Sequence, residues 1–481
     1  MSLDEKLIER VVEMVVERLS KNVVEVQAQT GGAEGCPAVK DGVFKEMDDA
    51  INAAEKAQKA LLALPLAVRG KIIQAMRDAG VGHAEEYAVM EFEETGVGKA
   101  ADNAKKVLAA CRVLGMEDLG PECYTGDKGL TVIERIPFGL ISSVNPVTLA
   151  VPTIYFNAIM TLAGGNVLVN NPHPKAKNVS ARAVRDINLA IVKAGGPPNC
   201  VTCIEEPSIK TSQYLMTHPK TKMIVVTGGH GVIKFAAQTG KKVIPGGPGN
   251  PPVVVDESAD LQRAAQCIVE GASFANCTPC ASEKEIFAVD SIADRLKDLL
   301  KKSGACEIDA RQGEELMKHI FKEVNGPGKP GVVNMEFVGK SPEFILKSIG
   351  LSVGPETKIV LLETDVNHPL VWTEQIMPVI AFVRCQDADQ AINRAVLAEQ
   401  GCGHTIVMHS NNLKNLAKMA GKANVCSFVK NGPSLAGVGV AGEGFISFHI
   451  ATDGAGHTRP RTFTRMRRCA MVDDFRLRFS S

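Results

Sequence analysis

The sequence lacks a surplus of charge of either sign. Lysine plus arginine and aspartate plus glutamate stand at 54 each in 481 residues, so electrostatics give no case for nucleic acid or an anionic membrane as a partner. Long apolar runs are missing too. Stretches such as "MIVV" and "VVV" are strand-length, far short of a bilayer span. No basic segment followed by a continuous apolar one opens the chain, so a cytoplasmic rather than a secreted protein is expected. A disulfide framework is also absent. The 13 cysteines are odd in number and scattered, and in a reducing compartment most should be thiols, buried and inert. There is no internal repeat or low-complexity segment. What remains, 45% apolar and 22% charged residues, is a soluble globular composition. The chain is too long for one core, and two or three domains are expected.

The N-terminus reads as a separate piece. "MSLDEKLIERVVEMVVERLSKN" has apolar residues at Leu7, Ile8, Val11, Val12, Val15, Val16 and Leu19 with charges between them, the period of an amphipathic helix. Ser2 is its candidate N-cap, with Asp4 and Glu5 favourable in the first turn. The stretch after it, residues 21–41, carries Gly31, Gly32, Gly35 and Pro37 and reads as a linker. Two readings stand for the helix over residues 1–20: it docks on its own chain, or its apolar face binds another protein.

Beyond the linker, "MDDAINAAEKAQKALLAL" is a strong helix ended by Pro65, and helical periodicity continues to Gly96. "LTVIERIPFGLISSV" alternates as a strand does, with a break at Pro137 and Gly139. Strand-like "NVLVN", "CVTCIEE", "TKMIVVTGG", "KKVIPGG" and "PPVVVD" then alternate with helical segments, which indicates a parallel, doubly wound sheet. A second α/β stretch runs from about Leu261 to Glu443, and the basic "RTFTRMRRCAMVDDFRLRF" reads as an edge or interface strand.

Three segments carry chemistry. In "VVTGGHGV", Gly228 and Gly229 end a strand before a helix, so backbone N–H groups could face an anion. A plain strand-to-helix turn explains them as well. "IPGGPGNPPVVVD" has glycines that let backbone approach a ligand, and no acid or base between Ile244 and Pro251. In "FANCTPC", Cys277 and Cys280 admit three readings: a redox pair, half of a zinc site with the Cys200–Cys203 pair, or one nucleophile. Val201 and Thr202 put the second pair on a strand, which disfavours a zinc knuckle. A loop of small residues opening a helix suits a nucleophile, and Pro279 fixes the backbone just before Cys280.

Together these segments resemble the CoA-acylating aldehyde dehydrogenases of bacterial microcompartments, the propionaldehyde and acetaldehyde type. The carriers are "VIERIPFGLISSVNP", "LAGGNVLVNNPHPKA", "IVVTGG", "GNPPVVVDESAD", "EGASFANCTPCASEKEIFAVD", "TEQIMPVIAFV" and "GEGFISFHIATDGAGHTRPRTFTRMRRC", in the family's order over roughly residues 40 to 470. The resemblance implies an aldehyde dehydrogenase-like α/β fold: two doubly wound α/β domains and a small β oligomerisation arm. Residues 42–122 and 139–245 would bind NAD, 246–457 would be catalytic, and 123–138 with 458–481 would form the arm. Residues 1–20 would be an encapsulation-type helix docking on shell proteins inside a microcompartment, and residues 21–41 its linker. A homo-oligomer, dimer or tetramer, is implied, with no nucleic acid, no membrane and no metal.

By the same resemblance Cys280 is the nucleophile and Cys277 its neighbour. "PGGPGN" stands where hydrolytic relatives carry a water-activating glutamate, so CoA would replace water as acyl acceptor for a short-chain aldehyde. Cofactor contacts would come from Thr227, Gly228 and Gly229, from Gly246 and Gly247, from His173 toward the adenosine, and from Glu374 at the nicotinamide ribose. A loop cap is the alternative reading for His173 and a surface carboxylate for Glu374; His404, in "GHTIVMHS", matches a family position near the active site and reads equally as a buried structural ring. "NPVTLAVP" departs from the family pattern. Thr148 falls opposite the oxyanion-hole asparagine, Asn145 lies just ahead of it, and the Cys280 backbone N–H is a further donor. Arg461–Arg468 would either reach CoA phosphates or form a subunit-interface strand. A hydrolytic dehydrogenase and an inactive shell-associated scaffold are the alternatives.

Overall fold

The computed structural model describes residues 41–452 and 455–475. The expected helix over 1–20, nearly all of the linker 21–41 and the last residues of the arm lie outside the described residues. Among those described, no helix is long and apolar enough to cross a membrane.

Short apolar runs alternating with helical ones fold here as two parallel sheets. The first has six strands in the order Val43–Phe44, Val201–Ile204, Val167–Asn171, Leu140–Val144, Thr221–Thr227 and Lys242–Gly246, every neighbouring pair parallel. Helices Met47–Ala63 and Ala150–Ala163 pack against it. All residues of the second helix are buried, and such double cover explains why the strands are near-continuously apolar rather than alternating. Leu140–Val144 leads on one side to Val167–Asn171 and on the other abuts Thr221–Thr227. At such a switch point a crevice opens outside the carboxyl ends of the strands.

The second sheet runs Ala305–Ile308, Ile359–Glu363, Val379–Cys385, Glu285–Val289, Pro252–Val255, Thr405–His409 and Ser427–Lys430, again all parallel. Its two faces fill separate cores, as a period of two requires. Val254, Phe287, Val360 and Leu362 enter one; Val253, Val255, Ile286, Ala288 and Leu361 enter the other.

Glu122–Gly126, Gly129–Pro137 and Thr464–Val472 form a third, antiparallel sheet. Asn166 fastens it to the first. Fully buried, its Oδ1 accepts from the Phe138 and Gly139 N–H groups at 2.7 and 3.0 Å. Its Nδ2 donates to the Thr161 and Phe463 carbonyls at 3.1 and 2.8 Å. One amide thus joins the break between two strands, the end of a helix and the approach to the C-terminal strand. Asn166→Ala leaves four backbone groups without this partner, so a destabilisation of about 3 kcal/mol is expected. An unchanged urea midpoint would show that the junction is held otherwise.

Candidate active site

The carboxyl-end residues Val144, Asn171, Thr227 and Gly246 of four first-sheet strands line one cavity of ≈ 530 Å³, whose far wall includes Cys280 and Glu374. A second, smaller cavity of ≈ 80 Å³ lies behind Cys280, walled by Leu149, Phe274, Leu435, Val438, Phe448 and Ile450. Cys280, Leu149, Phe448 and Ile450 belong to both. The thiol therefore stands where a long cleft meets a small apolar chamber.

The turn that puts it there is strained. Ala275, Asn276 and Cys277 have φ of 47°, 55° and 61°, three consecutive left-handed residues that are not glycine, each costing roughly 1–2 kcal/mol. Tertiary bonds hold them. Asn276 Nδ2 donates to the carbonyls of Gly98 and Gly339 at 3.1 and 2.9 Å, and the Ala275 N–H donates to Asp102 at 3.0 Å. Cys277 points inward and is fully buried. Its thiol donates to the Glu283 carbonyl at 3.4 Å and accepts from Lys284 Nζ at 3.2 Å. The same ammonium donates to the Cys277 and Pro279 carbonyls at 3.0 and 3.3 Å. Cys277 is thus part of the clamp beneath the turn, while Cys280 is half-buried and faces both cavities. Both are free thiols. Cys200 and Cys203 are buried with the core of the first sheet.

No helix opens at Cys280, contrary to expectation. After the turn the chain enters the buried strand Glu285–Val289, pinned in parallel between Pro252–Val255 and Val379–Cys385. The thiol has no helix N-terminus beneath it. Burial pushes its pKa up to about 12, and Glu374 adds to the shift; Lys284 and the N–H groups of Cys280 and Ala281 oppose it. Burial likewise raises the neighbouring carboxyls: Glu283 to about 7, bonded by the Ser434 N–H and hydroxyl at 2.7 Å each, and Glu285 well above its ordinary value.

Thr227 ends its strand, Gly228 donates to the Gly246 carbonyl at 3.2 Å, and Gly229 precedes helix His230–Gln238. All three line the cleft, as do Gly246 and Gly247. A Cβ at Gly229 would meet open space, whereas one at Gly247 would fall 2.7 Å from the Thr452 hydroxyl. Glu374 is no surface carboxylate: it faces the cleft and accepts from the Gly249 N–H at 3.1 Å, with its pKa raised by burial. His173 lines the cleft too, and its Nδ1 caps the next turn by accepting from the Lys175 N–H at 3.2 Å. Asn145 and Thr148 both line it, but Asn145 Nδ2 donates to Asn170 Oδ1 at 3.2 Å, within the sheet. The Thr148 carbonyl accepts from Lys106 Nζ at 3.0 Å. His404 is buried, its Nδ1 3.0 Å or less from Thr405 Oγ1 (2.9 Å). Lys106, Phe274, Phe448 and His449 are wall residues not singled out from the sequence: Phe274 opens "FANCTPC" and Phe448 and His449 lie in "GEGFISFHI", but nothing in the spacing of either segment turns these side chains toward a cavity.

The thiolate is the reactive form, so the shift has a visible consequence. Iodoacetamide labelling of Cys280 in the ligand-free protein, followed by mass spectrometry, should keep accelerating beyond about pH 9, past the unperturbed thiol value. A plateau below that would contradict a thiol held protonated by burial.

The aldehyde dehydrogenase family profile matches residues 18–310. The chain is 45% identical, over 91% of its length and 93% of the relative's, to the acetylating acetaldehyde dehydrogenase EutE of Salmonella typhimurium. It is similar to a Rhodopseudomonas palustris propionaldehyde dehydrogenase solved with bound CoA and an acylated cysteine: 41% identity, TM-score 0.89, 92% of this chain and 100% of that one covered. It is also similar to a propionaldehyde dehydrogenase from the Clostridium phytofermentans fucose utilisation bacterial microcompartment: 39% identity, TM-score 0.88, 91% and 100% covered. The α/β architecture expected from the motifs is the one these relatives share. With a profile match over more than half its length and identities of this order across nearly all of it, the chain belongs to the aldehyde dehydrogenase family.

Proposed function

We propose that this protein oxidises a short-chain aldehyde to its acyl-CoA through a thioester on Cys280, with NAD as hydride acceptor and CoA as acyl acceptor. One observation carries the reading. Cys280 stands between a small apolar chamber and a long cleft whose glycine wall, Ile244 to Pro251, holds no carboxylate.

The chamber takes the aldehyde. Its aliphatic and aromatic lining offers little to a polar chain, and its volume suits few carbons. The cleft suits a dinucleotide. The turn Thr227–Gly229 opens a helix N-terminus, the space beside Gly229 is unfilled, and Glu374 and His173 face inward. Held by Thr227, Gly228, Gly229, His173 and Glu374, a bound NAD would supply the acceptor for the hydride lost by the aldehyde carbon. The chain's own part begins with Cys280 Sγ bonding to that carbon. Because burial keeps the thiol protonated, its proton passes out to solvent through the open cleft as the bond forms. The oxyanion that develops has the Cys280 N–H at hand, with Thr148 on the same wall. Without a carboxylate in the glycine segment to activate water, the thioester waits for a better nucleophile, the CoA thiol.

Further parts of the reading rest on the same family. Residues 42–122 with 139–245 would hold the cofactor and 246–457 the thiol. The arm, 123–138 with 458–481, would join subunits of a homo-oligomer: its edge strand leaves Met466 and Val472 65% and 69% exposed. The amphipathic segment 1–20 would dock on shell proteins and place the enzyme in a cytoplasmic microcompartment.

With propanal and NAD, the protein should sustain NADH formation only when CoA is present, and Cys280→Ala should abolish it. Continued turnover without CoA would assign it to the hydrolytic class. Deleting residues 1–20 should leave turnover intact and end co-purification with shells; retained encapsulation would refute the docking role.

A further inference from the structure

Lys106 is buried where packing alone does not call for a lysine. It stands in the helix Ala100–Ala110, 1% exposed, on the wall of the apolar chamber. Burial pushes its pKa down, against the pull of Glu91 and Asp102. A methionine of similar length would fill the same wall with no charge to desolvate. What the ammonium does is specific: it donates to the Thr148 carbonyl at 3.0 Å.

Thr148 lies in the loop between strand Leu140–Val144 and helix Ala150–Ala163, and that helix has no side-chain N-cap of its own. Its start is held from another helix, Ala84–Thr95. There Glu91, 2% exposed, accepts from the Val151 N–H at 3.1 Å. Burial raises the Glu91 carboxyl, and Lys106 is the first charge to oppose that shift. A cation and an acid from two helices thus fix the loop at the carbonyl of 148 and the N–H of 151. Asn145, nearer the strand, spends its amide within the sheet, whereas no hydrogen bond engages the Thr148 hydroxyl among the described residues.

The helix that carries Lys106 also holds the turn that carries the thiol. Four residues earlier and on the same face, Asp102 accepts from the Ala275 N–H at 3.0 Å. Lys99, at the helix start, donates to the Ser273 carbonyl at 3.4 Å. Residues 102 and 106 are separated by roughly 6 Å along the helix axis. The Thr148 loop and the Cys280 turn are therefore pinned to one rigid element, and both residues line the same cleft.

We propose that Lys106 is a positioning residue for acylation: its ammonium ties the Thr148 loop to the helix that holds the Cys280 turn, so that the Thr148 hydroxyl meets the oxyanion formed on the aldehyde. The inference rests on the reading of Cys280 as the nucleophile. As Cys280 Sγ bonds to the aldehyde carbon, the carbonyl π pair moves to oxygen. A donor stabilises that charge only when it is already held at hydrogen-bond distance from where the oxygen arrives. Without the ammonium the Thr148 carbonyl loses its tie, and the hydroxyl its fixed place.

The test reads the NADH burst of the full-length protein at saturating propanal and NAD, before CoA is added, in a double-mutant cycle. Lys106→Met keeps the chamber wall and removes the ammonium; Thr148→Ala keeps the loop backbone and removes the hydroxyl. Loss of an oxyanion donor slows such a step roughly 100- to 1,000-fold, so a displaced donor should slow the burst of Lys106→Met at least about tenfold. In the Thr148→Ala background the same change should slow it less than about threefold, because the group it positions is gone. A smaller loss in the first comparison, or a larger one in the second, overturns the role; a lysine that only supports the fold would slow both backgrounds alike. If Lys106→Met fails to fold, judged by its melting curve, Glu91→Gln is added to remove the acid left without its cation. The burst is then read against Glu91→Gln alone, within the same limits. A wild-type burst with no acyl group on Cys280 in the mass spectrum refutes the nucleophile reading, a result distinct from a Lys106→Met burst at the wild-type rate.

Discussion

Lys284 is a fully buried cation among the acids and thiols beneath the turn, and the site is organised around it. Its ammonium closes the turn by donating to Cys277 and Pro279. Its charge holds down the pKa of Glu283, Glu285, Glu374, Cys277 and Cys280, each of which burial raises. An isolated ammonium in such a place would be prohibitive to bury. Here three acceptors and several carboxyls compensate it, and its clamp offsets the left-handed strain at 275–277. The position of Cys280 thus follows from where one charge can be satisfied.

That arrangement yields a thiol that is not reactive in itself. Desolvation dominates, so the free enzyme keeps Cys280 protonated. Reactivity then depends on what occupies the two cavities. The glycine wall serves both ends: it leaves room beside the cleft, and at Gly246 it lets an imidazole lie against the backbone.

Much of the fold was legible in sequence. Helix Met47–Ala63 showed its apolar spacing and its terminating Pro65, and "NVLVN", "TKMIVVT" and "PPVVV" are the strands their β-branched runs suggest. The run after Cys280 was misleading. "ASEKE" has the look of a charged helix start, yet Glu283, Lys284 and Glu285 are all buried and lead into a strand. Local propensity treats charges as solvated, and only the tertiary clamp makes them interior. Glu374 shows the same limit, since a carboxylate's exposure depends on distant chain, here the Gly249 loop.

The sequence by itself determined the alternation of strands and helices and the lack of an acid between Ile244 and Pro251, because these depend on residue type and short-range order, whereas it left the role of the Cys277–Cys280 pair open. Tertiary structure alone decided which side chains meet. Thr227 and His449 are 222 residues apart and meet at 3.1 Å beside Gly246 on the cleft wall, and Phe274 and Phe448 close one chamber from different elements. Contacts of that separation leave no periodic trace in the chain, because they are fixed by how the two sheets pack and not by any local preference.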